Sequence, residues 1–267
     1  MVEIDPAPTP SDGTSAAPEG NTPRSVAAGP EPSPVGTSRL LVFCLVAGVL
    51  AGTASLLAGE AIMNRYGADL YPPVKRQLSP EEIQRWHGAR LYCPVAIFST
   101  LGGFLGLAMG MAGGLARGSV FRGAWAAIVG LVLGTIVATS SALVFVSLFY
   151  KKHDPETGDL VLPMLMHGVI WSAVGAIGGL VFGLALGRQG RWKATMLGGL
   201  VGAAAATVVY EIVGALAFAT DKTDLPLAAS ITTRGMAHLL VAILSAVGAV
   251  VALQQFRTTQ APSSLPS

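Results

Sequence analysis

Six uninterrupted apolar runs govern what this chain can fold into. Each is about 20 residues or longer, the length of helix that crosses a hydrocarbon layer roughly 30 Å thick. They extend from Leu40 to Met63, Leu91 to Leu115, Ala124 to Phe149, Leu160 to Leu186, Ala194 to Ala219 and Met236 to Gln254. Inside lipid no water can satisfy a peptide group, so such runs become helices whose hydrogen bonds close internally. Only 12% of the residues are charged, where a soluble domain has about 25%. The sequence therefore predicts an all-α polytopic membrane bundle, with six transmembrane helices within residues 39–256.

Residues 1–38 are crowded with Pro, Ser, Gly and Thr and have no apolar periodicity. Such a stretch buries too little surface to offset its ordering entropy and is read as a disordered tail. Residues 257–267 are read as a short disordered C-terminal tail. The long Pro-rich stretch ahead of RLLVFCLVAGVLAG argues against a cleaved signal peptide, which opens with a short basic region, so the first run is read as a retained helix. Cys44 and Cys93 lie near the starts of the first and second spans. In an antiparallel hairpin they approach opposite faces, too far apart for a disulfide.

The connections after the second and fourth spans are short and basic without any acid: Arg117 and Arg122, then Arg188, Arg191 and Lys193. By the positive-inside rule they face the cytoplasm, which places both termini there, in a plasma membrane of bacterial inner-membrane type. Ahead of the second span, LSPEEIQRWHGARLY offers Ser79 as an N-cap, Pro80 at the first helical position and Glu81 and Glu82 at the positive end of the dipole. A helix is expected there, lying at the interface or running on into the span.

Glycine recurs at every fourth position twice, at Gly102, Gly106, Gly110 and Gly114 and again at Gly175, Gly179, Gly183 and Gly187. Small residues at this spacing let helix backbones approach closely where lipid supplies little hydrophobic drive. They point to helix packing within the chain, or to a homo-oligomer formed through the same faces. The odd spans add AGVLAGT, VGLVLGT and LGGLVGA, and the pattern reads as three helical hairpins in tandem.

Ionisable residues inside the spans are functional candidates because they are costly in lipid. Glu211 lies about 25 Å across the fifth span by helical rise. His167, Trp171 and His238 enter from the same outer side, Arg234 lies one turn above His238, and Glu60 is near the outer end of the first span. Converging, these residues would form a proton relay, a two-histidine, one-carboxylate metal centre, or a metal centre activating water. The structural alternative pairs Glu211 with Arg234 or His238, tying the fifth span to the sixth.

The sequence contains no H-E-x-x-H, G-x-S-x-G or G-x-x-x-x-G-K-[ST] motif, which leaves the standard protease, hydrolase and P-loop chemistries without support. Ser140 and Ser141 lack a nearby histidine or lysine and are read as back-bonding hydroxyls. No cofactor, no bound metal and no nucleic-acid partner is expected. Membrane lipids are the expected surroundings and partners. The function so read is a non-catalytic structural or interaction module of the membrane. The alternative is a small transporter or channel that uses the outer Glu, His and Arg cluster for proton or solute handling.

Overall fold

The computed structural model describes residues 36–70, 79–153, 161–187, 191–218 and 220–259. Their regular structure is six helices: α1 Thr37–Leu70, α2 Pro80–Ala116, α3 Val120–Lys152, α4 Val161–Leu186, α5 Arg191–Ala217 and α6 Ile231–Thr259. The shortest, α4, has 26 residues and spans about 39 Å at 1.5 Å per residue. All six are long and apolar enough to cross a membrane. The architecture is all-α and compatible with an integral, multi-pass membrane protein. Most of the N-terminal tail and the end of the C-terminal tail lie outside the described residues.

Local chemistry sets the helix ends. The backbone N–H of Glu82 donates to the Ser79 hydroxyl at 3.2 Å, and the Ser79 N–H donates to the Glu82 carboxylate at 2.8 Å. This reciprocal capping box starts α2 well before its apolar run. The segment before the second span is thus the N-terminal extension of α2 itself. At the other end, the N–H of Ser119 donates to the Gly114 carbonyl and that of Gly118 to the Leu115 carbonyl, each at 2.9 Å. Gly118 has φ of +81°, which closes a Schellman turn that L side chains resist. Ser119 then caps α3 through the Arg122 N–H, so two antiparallel spans meet across three residues.

The helices fall into two sets. Helices α2, α4 and α6 touch one another along the middle of the bundle, and each odd helix fits between two even ones: α1 between α2 and α6, α3 between α2 and α4, α5 between α4 and α6. Every odd helix therefore packs on the even helix of its own hairpin and on that of the hairpin before it, cyclically. The inner position of the even set shows in burial, with 61% of the most apolar stretch of α2 and α4 inside the bundle against 22% for α3.

Glycine lets these helices meet backbone to backbone. A Cβ on Gly102 would collide with the Gly134 carbonyl, on Gly106 with that of Gly130, on Gly110 with the Ala126 backbone and on Gly114 with Gly123. The whole first series is thus spent on α3. In the second, Gly175 abuts Gly199, Gly179 the Thr195 carbonyl and Gly183 the Trp192 backbone, all on α5. Gly187 departs from that pattern: with φ of +65° it is the turn residue that ends α4. Gly48 and Gly52 of α1 meet the backbone of α6 at Ala242 and His238, with Cβ positions 3.0 and 3.1 Å from the two carbonyl oxygens.

The hydroxyls of Ser140 and Ser141 donate to the carbonyls of Ile136 and Val137, one turn back. Cys44 and Cys93 are both free and buried.

A methyl group at a backbone contact should cost more than one at an open helix position. Gly106→Ala is expected to destabilise by about 1–3 kcal/mol through overpacking. Gly88→Ala, whose Cβ would come no nearer than 3.8 Å to Tyr92, should be neutral or gain slightly from better helix propensity. The check is the unfolding midpoint of each purified variant on titration from mild detergent into dodecyl sulfate.

Candidate functional site

Glu60, His167, Glu211, Arg234 and His238 occupy two separate helix interfaces. At the α1–α6 interface, Arg234 Nε donates to Glu60 Oε1 at 2.7 Å and Nη2 to Oε2 at 2.8 Å, a bidentate fork in which charge and geometry reinforce each other. Its remaining nitrogen, Nη1, donates to the carbonyls of Ala228 and Ala229 at 2.9 and 2.8 Å. The guanidinium thereby closes α1 on α6 and grips the α5–α6 connection. One turn deeper, His238 Nδ1 lies 2.7 Å from the Ser55 hydroxyl, itself hydrogen-bonded to the Gly52 carbonyl.

At the α4–α5 interface, His167 Nδ1 lies 2.8 Å from Glu211 Oε1. The ring is 1% exposed. It stacks on Trp171 with centroids 4.8 Å apart and meets the edge of Tyr210 at 5.7 Å. Its other nitrogen, Nε2, faces the Pro226 carbonyl at 3.4 Å. The α5–α6 connection is therefore held at two points, by Arg234 through Ala228 and Ala229 and by His167 through Pro226. Asp221 accepts from the Ser230 hydroxyl at 2.6 Å within it, and Leu227 and Ala228 are buried.

All five ionisable residues singled out from the sequence are placed; they form separate pairs rather than one cluster, and Glu211 meets only one of the two histidines. Glu211 does not pair with Arg234 or His238 across the α5–α6 hairpin; it pairs backwards, with His167 on α4. The face of α5 that carries Gly199 and Ala203 against Gly175 also carries Glu211, and this register turns the carboxylate towards α4. Nor do the two histidines share Glu211: one takes it, the other takes Ser55. Among the described residues no three His, Cys, Asp or Glu side chains converge in a metal-binding arrangement.

Ser55 was not singled out from sequence, although a signal for it existed. In an antiparallel pair, a residue one turn inward of Arg234 on α6 looks for its partner about one turn inward of Glu60 on α1, where Ser55 is the hydroxyl-bearing residue. The described grooves between helices are lined mainly by apolar side chains. One opens between α4 and α5, encloses about 560 Å³ and is lined by residues such as Leu165, Val169, Leu200 and Val208.

What this geometry can do chemically is hold helices together. Each carboxylate has a cation or imidazole within 2.8 Å, which offsets the cost of removing charge from water. Glu60→Leu alone should leave a buried guanidinium without its fork and destabilise by about 2–3 kcal/mol. The double variant Glu60→Leu with Arg234→Leu should lie closer to the parent than either single change. Unfolding midpoints of the four proteins form the double-mutant cycle that checks this. Comparison with family models, with curated proteins and with solved structures finds no match.

Proposed function

We propose that this chain is a non-catalytic structural or interaction module of the membrane, built from three tandem helical hairpins whose outer polar residues act as ties between helices. The observation that carries this reading is that every carboxylate and imidazole of the set is paired across a helix interface, while the one buried polar atom of the cluster without a partner among the described residues, Trp171 Nε1, is an indole N–H that does not titrate. Glu60 is engaged by Arg234, Glu211 by His167 and His238 by Ser55, each across an interface that glycine or other small residues already bring into contact. A relay or a solute site needs a group left over to exchange protons or bind, with water beside it. The inner halves of the spans add little to such a path, being composed largely of Gly, Ala, Val and Leu.

The repeat is supported by register. Eight residues before Gly175 and twelve after its partner Gly199 come His167 and Glu211; the same steps from Ala242 and Gly48 lead to Arg234 and Glu60. The two ties are the same position in successive hairpins, filled by different chemistry. Both glycine series are engaged within the chain, so a second copy would be met by other faces, and membrane lipids are the constant partner.

Reconstitution into lipid vesicles with an internal pH dye tests this function against the transport alternative. Under an imposed pH gradient, vesicles containing the protein should hold their internal pH as well as empty ones. Glu211→Gln should lower the unfolding midpoint and leave proton leakage unchanged. A proton flux that depends on the protein and is abolished by Glu211→Gln would overturn the structural reading.

A further inference from the structure

At the basic end of the bundle α3 and α4 part to leave a groove of about 400 Å³. Trp125 and Val129 of α3 and Val181 and Leu184 of α4 form its walls, with Arg122 and Gly187 at its mouth. From Arg122 to Val129 the wall runs about 10 Å at helical rise, the depth of half an acyl chain or more. Trp125 and Phe121 beside the mouth are 58% and 72% exposed, as aromatic side chains at a membrane boundary are.

The mouth is charged, and the described residues leave that charge unbalanced. Arg117 Nη1 donates to the Leu186 carbonyl at 2.9 Å, which caps the C-terminal end of α4. A Cβ on Gly187 would run into that guanidinium and lie 3.6 Å from Arg122 Nη1. Two guanidiniums thus converge on one point. Arg122 has no side-chain acceptor among the described residues, and every acid described, from Glu60 to Asp224, belongs to the opposite end. Like charges this close repel unless an anion lies between them. The complement of an apolar slot with two arginines at its mouth is a molecule with an apolar chain and an anionic phosphate.

We propose that the α3–α4 groove binds an anionic phospholipid, with one acyl chain along Trp125, Val129, Val181 and Leu184 and the phosphate held by Arg122, with Arg117 behind it. A phosphodiester accepts a guanidinium fork in a geometry that an ammonium cannot reproduce. The proposal rests on the chain being a membrane protein and deepens the lipid partnership given above. It is independent of proton leakage, so the two tests fail separately.

The test uses the full chain in detergent micelles, titrated with phosphatidylglycerol or phosphatidylcholine with brominated acyl chains. The readout is quenching of Trp125, isolated by difference from Trp125→Phe. Phosphatidylglycerol should quench at several-fold lower concentration than phosphatidylcholine. Arg122→Gln should raise the half-quenching concentration about fivefold, whereas Lys193→Gln, the same loss of charge at the same end but away from the groove, should leave it unchanged. Val129→Phe fills the groove from an exposed position and should weaken quenching with no change of charge. Equal quenching by the two lipids, an equal effect of Arg122→Gln and Lys193→Gln, or indifference to Val129→Phe would each overturn the site. So would full displacement by free glycerol phosphate, which would mean that only the phosphate is bound.

Discussion

The carbonyl of Gly130 lies where a side chain on Gly106 would have to be, and the Gly106 carbonyl excludes one from Gly130 in return. At that separation the two backbones touch, and dispersion between them acts over the length of the interface without help from water. Contact this close also leaves only one register. Sliding α3 by a single residue would bring Val129 or Leu131 against the α2 backbone where Gly130 now fits. Register is the constraint on which the rest depends, because it decides which side chains further along each helix meet.

The polar pairs follow from it. Once Gly175 lies against Gly199, Glu211 has His167 opposite; once Gly48 lies against Ala242, Glu60 has Arg234 and Ser55 has His238. Apolar packing alone would be tolerant of rotation about a helix axis. A bidentate fork between Glu60 and Arg234 is not, since both its distances must be near 2.8 Å at once. Close packing and directional pairing therefore specify each other: the first sets translation, the second rotation.

Much of this was legible before any coordinates. Six spans follow from run length, and the start of α2 follows from Ser79, Pro80 and Glu82 in sequence. That Glu211 and His167 lie at one level of the bundle follows from counting helical rise. The partnerships did not follow, for a physical reason. Periodicity tells which residues share a face of one helix but not which neighbour that face meets. The structural alternative pairs Glu211 with α6 because the hairpin makes α6 its nearest neighbour in sequence, whereas α5 touches α4 and α6 alike. Gly187 was equally hidden: its spacing continues the series, and only its φ reveals a turn.

On the proposed repeat, three interfaces are equivalent and only two have an ionic tie. The steps that reach Glu211 and His167, or Glu60 and Arg234, lead at the α2–α3 interface to Val146 and Pro94, both buried. That interface compensates in two ways. Its glycine series is the longest, with four positions of α2 in backbone contact with α3 against two of α1 with α6. A pair of hydroxyls, Ser99 and Thr139 at 2.6 Å, bridges the helices between the glycines and the missing tie. Where backbones approach along most of a helix, an ion pair has little left to specify and would still incur its desolvation cost. At the α1–α6 interface two glycines leave rotation loosely set, and the Glu60–Arg234 fork supplies what close packing does not.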